Sequence, residues 1–155
     1  MTIDIVLRPT GSGAACQSIL AELADWFGLP QSNAEYARHA EEGPAFLVET
    51  DGQAAAIMIL KPHFEDTVEI YLLAVRLGRH RRGLGKALIA RADAFAAERG
   101  ARYLTVKTHG PSAPYEPYAR TRAFYRATGF AALEEFTELW GPENPALLMV
   151  RPVDG

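Results

Sequence analysis

The stretch GRHRRGLGKAL, Gly78 to Leu88, crowds Arg79, His80, Arg81, Arg82 and Lys86 around two closely spaced glycines, Gly83 and Gly85. Behind it, Leu84, Leu88, Ala92 and Phe95 recur at the spacing of one helix face, and Gly100 follows as a terminator. Ahead of it, Thr67 to Val75 is apolar at nearly every position, the pattern of a central strand covered on both faces. Arg102 to Thr108 reads as the next strand. The stretch is therefore the glycine turn of a strand, helix, strand unit whose two strands are expected to run parallel. The first amides of a helix have no partner within it and carry partial positive charge. Glycines admit a ligand close to that backbone, and Arg and Lys add charge-assisted hydrogen bonds, so the turn suits a phosphate or polyphosphate.

The rest of the chain is organised around this unit. Ile3, Ile5 and Leu7 alternate with polar neighbours as in a first strand, which Arg8 and Pro9 end. From Ala14 to Phe27, Ile19, Leu20, Leu23 and Phe27 fall at helical spacing, and a second short helix is expected after Asn33, a good cap, through Tyr36 to Glu41. Ala45 to Thr50 and Gln53 to Leu60 are apolar runs joined by Asp51-Gly52, a pair suited to the positive φ angles of a tight hairpin turn. After the strand at Arg102 to Thr108 comes a Pro-rich connection, HGPSAPYEP, then a helix expected from Ala119 to Thr128 and stopped by Gly129. Two closing strands are expected near Phe130 to Glu135 and Ala146 to Val150. No internal repeat, linker or low-complexity tract interrupts the 155 residues, which predicts one domain over 1–155.

Composition narrows the partners. The chain is 48% hydrophobic and 23% charged, ordinary for one soluble domain with a single core. Its 16 Lys and Arg against 19 Asp and Glu give a formal charge of -3, so neither nucleic acid nor a membrane surface is expected as a partner and the basic cluster acts locally. No stretch approaches the roughly 20 apolar residues of a membrane span, and the amino-terminal MTIDIVLRPT has no signal-peptide pattern, which points to the cytoplasm. Cys16 is the only cysteine, which precludes an internal disulfide and a thiolate zinc site; it reads as a small apolar helix residue. No metal is expected.

Spacing restricts the phosphate ligand. A Walker loop needs glycine five residues before Gly85-Lys86 and Ser or Thr after it, where His80 and Ala87 stand. The dinucleotide fingerprint begun at Gly83 needs Gly or Ala where Leu88 stands, and the turn comes too late in the chain to open a Rossmann fold. ATP, GTP and NAD are thus poor fits.

Leu73-Ala74-Val75 ending a strand, Arg81-Arg82-Gly83-Leu84-Gly85 opening a helix, and the later Phe124-Tyr125-Arg126-Ala127-Thr128-Gly129-Phe130 together resemble the GCN5-related N-acetyltransferases, the GNAT superfamily. The resemblance covers essentially the whole chain. It implies an α+β fold: a mostly antiparallel, twisted central sheet of six to seven strands with a parallel pair at the cofactor site, flanked by about four helices. It also implies acetyl-coenzyme A as co-substrate, its pyrophosphate on His80, Arg81, Arg82, Gly83, Leu84, Gly85 and Lys86, its pantetheine along Leu73, Ala74 and Val75, and its sulfur end near Thr121, Phe124 and Tyr125. His80 replaces the Gln or Arg usual at the head of the phosphate motif, and Tyr118 and Thr121 stand where Asn and Ala are frequent.

Acetylation of an amine by a thioester needs a neutral nucleophile, stabilisation of the developing oxyanion and a proton for the thiolate. In the family resembled, attack is direct. Tyr125 would serve the departing sulfur, and Glu69, on the strand face of Tyr71 and Leu73, would take the ammonium proton, directly or through water; an ordinary exposed strand glutamate is the competing reading of Glu69. By the same resemblance, an acceptor amine of a small molecule or peptide would meet Trp26, Phe27, Tyr36, His63, Glu65, Asp66, Phe136 and Trp140, aromatics and carboxylates suited to a cation with apolar bulk. A homodimer is left open. Two other functions stay in play: a non-catalytic acyl-coenzyme A sensor, and, least favoured by the charge balance, nucleic-acid binding through the Arg79 to Arg82 run.

Overall fold

The computed structural model describes residues 3–79 and 83–154. In chain order it contains β1 (Ile5–Arg8), α1 (Gly13–Ala21), α2 (Pro30–Glu42), β2 (Ala45–Thr50), β3 (Gln53–Pro62), β4 (Thr67–Val75), a single 3-10 turn (Leu77–Arg79), α3 (Leu84–Glu98), β5 (Tyr103–His109), α4 (Glu116–Ala127), β6 (Ala131–Phe136) and β7 (Ala146–Pro152). The seven strands form one sheet in the order β1-β2-β3-β4-β5-β7-β6, with β4 and β5 its parallel pair. The fold is mixed α+β, as expected.

Local chemistry accounts for the elements. Asp51 and Gly52 adopt φ angles of 53° and 76°, the left-handed pair that closes β2 onto β3 without splaying the strands. Along β4, Val68, Ile70, Leu72 and Ala74 are all buried, which is why the run is apolar.

Three helix boundaries differ from the sequence expectation by three residues or more, while the strand ends shift by one or two. Helix α1 stops at Ala21, because the Glu22 and Leu23 amides turn to carbonyls three residues back, on Ile19 and Leu20; Leu23 is buried all the same, in the turn beyond the helix. Helix α2 begins at Pro30, so Asn33 is not its cap: it lies inside the helix and its Nδ2 donates to the Phe27 carbonyl at 2.8 Å. Helix α4 begins at Glu116 rather than Ala119. Both early starts place proline in the first turn, where its missing N–H costs nothing and its fixed φ is already helical.

The chain packs as two compact units, Met1–Leu60 with Tyr71–Arg91, and Lys61–Ile70 with Ala92–Gly155. In the first, Cys16, Ile19, Leu20, Leu23, Ala37 and Ala40 of the helical segment pack with Leu47, Ile57, Leu72 and Ala74 of the strands. Gly13 donates its amide to the Glu41 carboxylate at 3.1 Å, and a β-carbon there would press on that same side chain. In the second unit Leu104 and Val106 of β5 share a buried face with Leu147 and Met149 of β7, and Tyr125 and Phe130 are buried as well. The Asp93 carboxylate and Arg151 guanidinium pair at 2.5 Å in its interior, and the Asp154 amide caps the same carboxylate at 3.3 Å.

Candidate active site

In the first unit, the candidate phosphate turn is built on an anchored strand end. Arg76, directly after β4, is only 7% exposed: Nε donates to the Ala54 carbonyl at 2.6 Å, Nη1 to Glu22 Oε2 at 2.6 Å and Nη2 to Ser18 Oγ at 2.9 Å. Its own amide donates to the Ala55 carbonyl at 3.0 Å. Sequence reading passed over this residue, grouped as it is with surface cations. Arg79 lies 3.9 Å from the exposed Asp51 carboxylate. His80, Arg81 and Arg82, to which the phosphate motif was assigned in part, lie outside the described residues.

Gly83 has φ +79° and its carbonyl accepts the Ala87 amide at 3.0 Å, so it is the residue from which α3 springs. A β-carbon there would meet nothing within 4 Å, so glycine serves a backbone shape that L side chains resist, beside open space. Leu84 is buried and pins the helix start, while Gly85 and Lys86 face outward to differing degrees in the first turn. A helix start, a glycine without a side chain and an exposed lysine are features that suit an oxyanion such as a phosphate. On β4 Ala74 is buried and Leu73 and Val75 are half-buried, alternating as strand geometry dictates.

Also in this unit, Tyr36 and Tyr71 meet at 5.1 Å between ring centroids, His39 lies 4.9 Å from Tyr71, and Phe27 sits edge-on to Tyr36 at 6.0 Å. Trp26 is half-buried beside them.

In the second unit, Glu69 is 6% exposed, so the reading of it as an ordinary exposed strand glutamate is set aside. Its Oε1 lies 2.7 Å from His63 Nε2, and its Oε2 accepts Lys107 Nζ at 3.0 Å. The parallel register puts Glu69 opposite Thr105, two positions before Lys107 and on the same face, and a turn closed by the His63 amide on the Thr67 carbonyl folds the imidazole back over the strand. Neither partner was foreseen for Glu69, although Lys107 shares the Thr105 face. Glu65 and Asp66 are exposed in that turn, Phe136 is half-buried and Trp140 is exposed.

Tyr125 is 5% exposed, edge-on to both Phe124 (5.3 Å) and Phe130 (5.4 Å). Its carbonyl accepts the Phe130 amide at 3.0 Å and Thr128 Oγ1 at 2.9 Å, with Gly129 at φ +97°, so the Tyr-x-x-x-Gly-Phe spacing is a helix-ending device as well as an aromatic cluster. Thr121 turns its hydroxyl to the Pro117 carbonyl at 3.3 Å. Tyr118 stacks on His109 at 4.9 Å, and the buried Arg122 donates to the His109 carbonyl at 2.7 Å, two contacts that sequence pattern alone did not suggest.

The sequence matches the model of the acetyltransferase (GNAT) family over residues 15–130, the greater part of the chain. No curated protein matches it significantly. Among solved structures, a protein from Desulfovibrio desulfuricans assigned to the GNAT family is 20% identical and superposes with a TM-score of 0.81, over 97% of this chain and 100% of that one. A GNAT family acetyltransferase from Elizabethkingia anophelis with acetyl-CoA bound is 16% identical, TM-score 0.70, over 96% and 97%. An aminoglycoside 6′-N-acetyltransferase complexed with coenzyme A is 14% identical, TM-score 0.72, over 97% and 98%. At such identities the likeness is one of fold.

Proposed function

Because the chain belongs to the acetyltransferase (GNAT) family, we propose that it transfers an acetyl group from acetyl-coenzyme A to the primary amine of a small molecule or peptide by direct attack. The observation that carries this reading is the helix start at Gly83: a left-handed glycine beside open space, opening the helix that comes after the apolar β4 strand. Two of the structural neighbours were solved with acetyl-CoA or coenzyme A, which is consistent with that ligand here.

In this reading the amides from Gly83 to Lys86, with the basic residues before them, hold the pyrophosphate, and the backbone of Leu73 to Val75 pairs with the pantetheine arm as an added strand would. The amine nitrogen attacks the thioester carbonyl, the carbon–sulfur bond breaks, and the Tyr125 hydroxyl supplies a hydrogen bond or proton to the departing sulfur. The Glu69 centre handles the ammonium proton that must leave before attack. Phe124 and Thr121 flank the sulfur end.

The test has two arms. Acetyl-coenzyme A should raise the thermal midpoint, with ATP and NAD at equal concentration raising it much less. With acetyl-coenzyme A and a panel of amines, free thiol should be released and one or more amines should gain the mass of an acetyl group. Protection without thiol release from any amine identifies an acyl-coenzyme A sensor instead; stronger protection by ATP removes the cofactor assignment.

A further inference from the structure

Resting on the acetyl-transfer reading, we propose that His63 is the base that takes the proton from the acceptor ammonium, and that Glu69 is a positioning residue that orients the imidazole without meeting the substrate. Both oxygens of Glu69 are already engaged, Oε1 with His63 Nε2 at 2.7 Å and Oε2 with Lys107 Nζ at 3.0 Å, and the carboxylate is only 6% exposed. An incoming ammonium would have to displace one of these partners to reach it. His63 lies in front: its side chain is 45% exposed while the carboxylate behind it is buried.

The hydrogen bonding fixes the tautomer. A carboxylate only accepts, so toward it a neutral His63 presents the Nε2 proton and keeps its lone pair on Nδ1. Nδ1 makes no hydrogen bond within the described residues. A neutral imidazole backed by a carboxylate is the arrangement in which a histidine gains a proton most readily, because the carboxylate stabilises the imidazolium that results. Lys107 in turn prevents the carboxylate from rotating away. Among the described residues, Glu69 from β4 pairs with the ring, Lys107 from β5 pairs with that carboxylate, and Glu65 and Asp66 are exposed in the same turn as His63.

The step balances. The acceptor R–NH3+ gives a proton to His63 Nδ1, and imidazolium forms against the Glu69 carboxylate. The freed amine lone pair forms the carbon–nitrogen bond as the carbon–sulfur bond breaks, and the thiolate takes a proton from Tyr125 or water. The nitrogen sheds its second proton as the neutral amide forms and so restores through solvent the proton that Tyr125 or water gave up, and the exposed imidazolium returns the first proton to solvent. No oxidant or further co-reactant enters.

The experiment is the pH dependence of kcat/KM for acetyl transfer to an amine found in the panel, in the wild type, His63→Gln, Glu69→Gln and Lys107→Met, each first shown to keep thermal protection by acetyl-coenzyme A. The wild type should lose kcat/KM on the acid side, because a protonated imidazole has no lone pair to take the ammonium proton. His63→Gln should lose that limb together with about 10²-fold in rate. Glu69→Gln should keep the limb while kcat/KM falls at every pH, since the base is still present but the ring has lost the carboxylate that orients it. Lys107→Met should keep the limb. A wild-type limb retained in His63→Gln, or a limb lost only in Glu69→Gln, overturns the proposal and makes Glu69 the base. Absence of turnover in a wild type that still binds acetyl-coenzyme A overturns the parent reading, and this one with it.

Discussion

Arg76 reaches Glu22 at 2.6 Å, joining the residue that follows β4 to the residue that follows α1. The carboxylate partner is 43% exposed, so the ion pair by itself contributes little. The larger effect comes from the guanidinium's other bonds, to Ser18 and to the Ala54 carbonyl, which hold the strand end from which the candidate phosphate turn departs.

Arg76→Ala should therefore cost about 2–4 kcal/mol of stability, because it leaves a buried carbonyl without its donor and opens space. Glu22→Gln should cost less than about 1 kcal/mol. Urea unfolding of the two variants checks the ranking; equal costs would mean that the ion pair, not the buried network, holds the strand end.

Gly83→Val should leave the fold intact and abolish thermal protection by acetyl-coenzyme A. The expected stability loss is only about 1–2 kcal/mol, from a β-branched residue at φ +79°, since no atom stands in the way of the side chain. The cofactor loss is larger because the new side chain fills the space left open before the first turn of α3. Unchanged protection in the folded variant would place the ligand elsewhere.

Tyr125→Phe retains the ring that packs between Phe124 and Phe130 and removes only the hydroxyl. Cofactor affinity should survive while the acetylation rate falls about 10²-fold or more, the usual contribution of a positioned proton donor. Wild-type turnover in this variant would make Tyr125 a packing residue and turn attention to Tyr118.

Cys16 is fully buried, and loss of solvent pushes its thiol up to about 11 from an ordinary 9.0. The native protein should resist thiol reagents at neutral pH and react promptly once unfolded. The pH dependence follows from the sign of the shift. Below about pH 9 the thiol is neutral folded or unfolded; between about 9 and 11 only the unfolded chain ionises, so stability falls there, by on the order of 2–3 kcal/mol. Cys16→Ala should flatten that alkaline loss in denaturant titrations followed across the same range; an identical slope would assign the loss to other groups.

Much of this molecule was legible because its signals are local. The Asp51-Gly52 turn, the all-apolar β4 and the glycines ending or opening helices each state a backbone preference that neighbours do not have to supply. The parallel β4–β5 pair followed from connectivity alone, since a helix between two strands of one sheet returns the chain in the same direction. The helices start at Pro30 and Glu116, a few residues ahead of the expected positions, because proline enters a first turn through its fixed φ and missing N–H, which leave no mark on hydrophobic periodicity. What sequence could not decide was the company kept by charged side chains. Whether Glu69 is an open carboxylate or a buried one depends on a lysine far along the chain and on an imidazole folded back by a turn. Nothing in the periodicity of β4 encodes either. Arg76 likewise reads as one more surface cation until α1 and β3 close over it. Burial and pairing of ionisable groups are set by elements remote in sequence meeting in space, where a few ångströms decide between solvent and a partner, and so they belong to the tertiary structure alone.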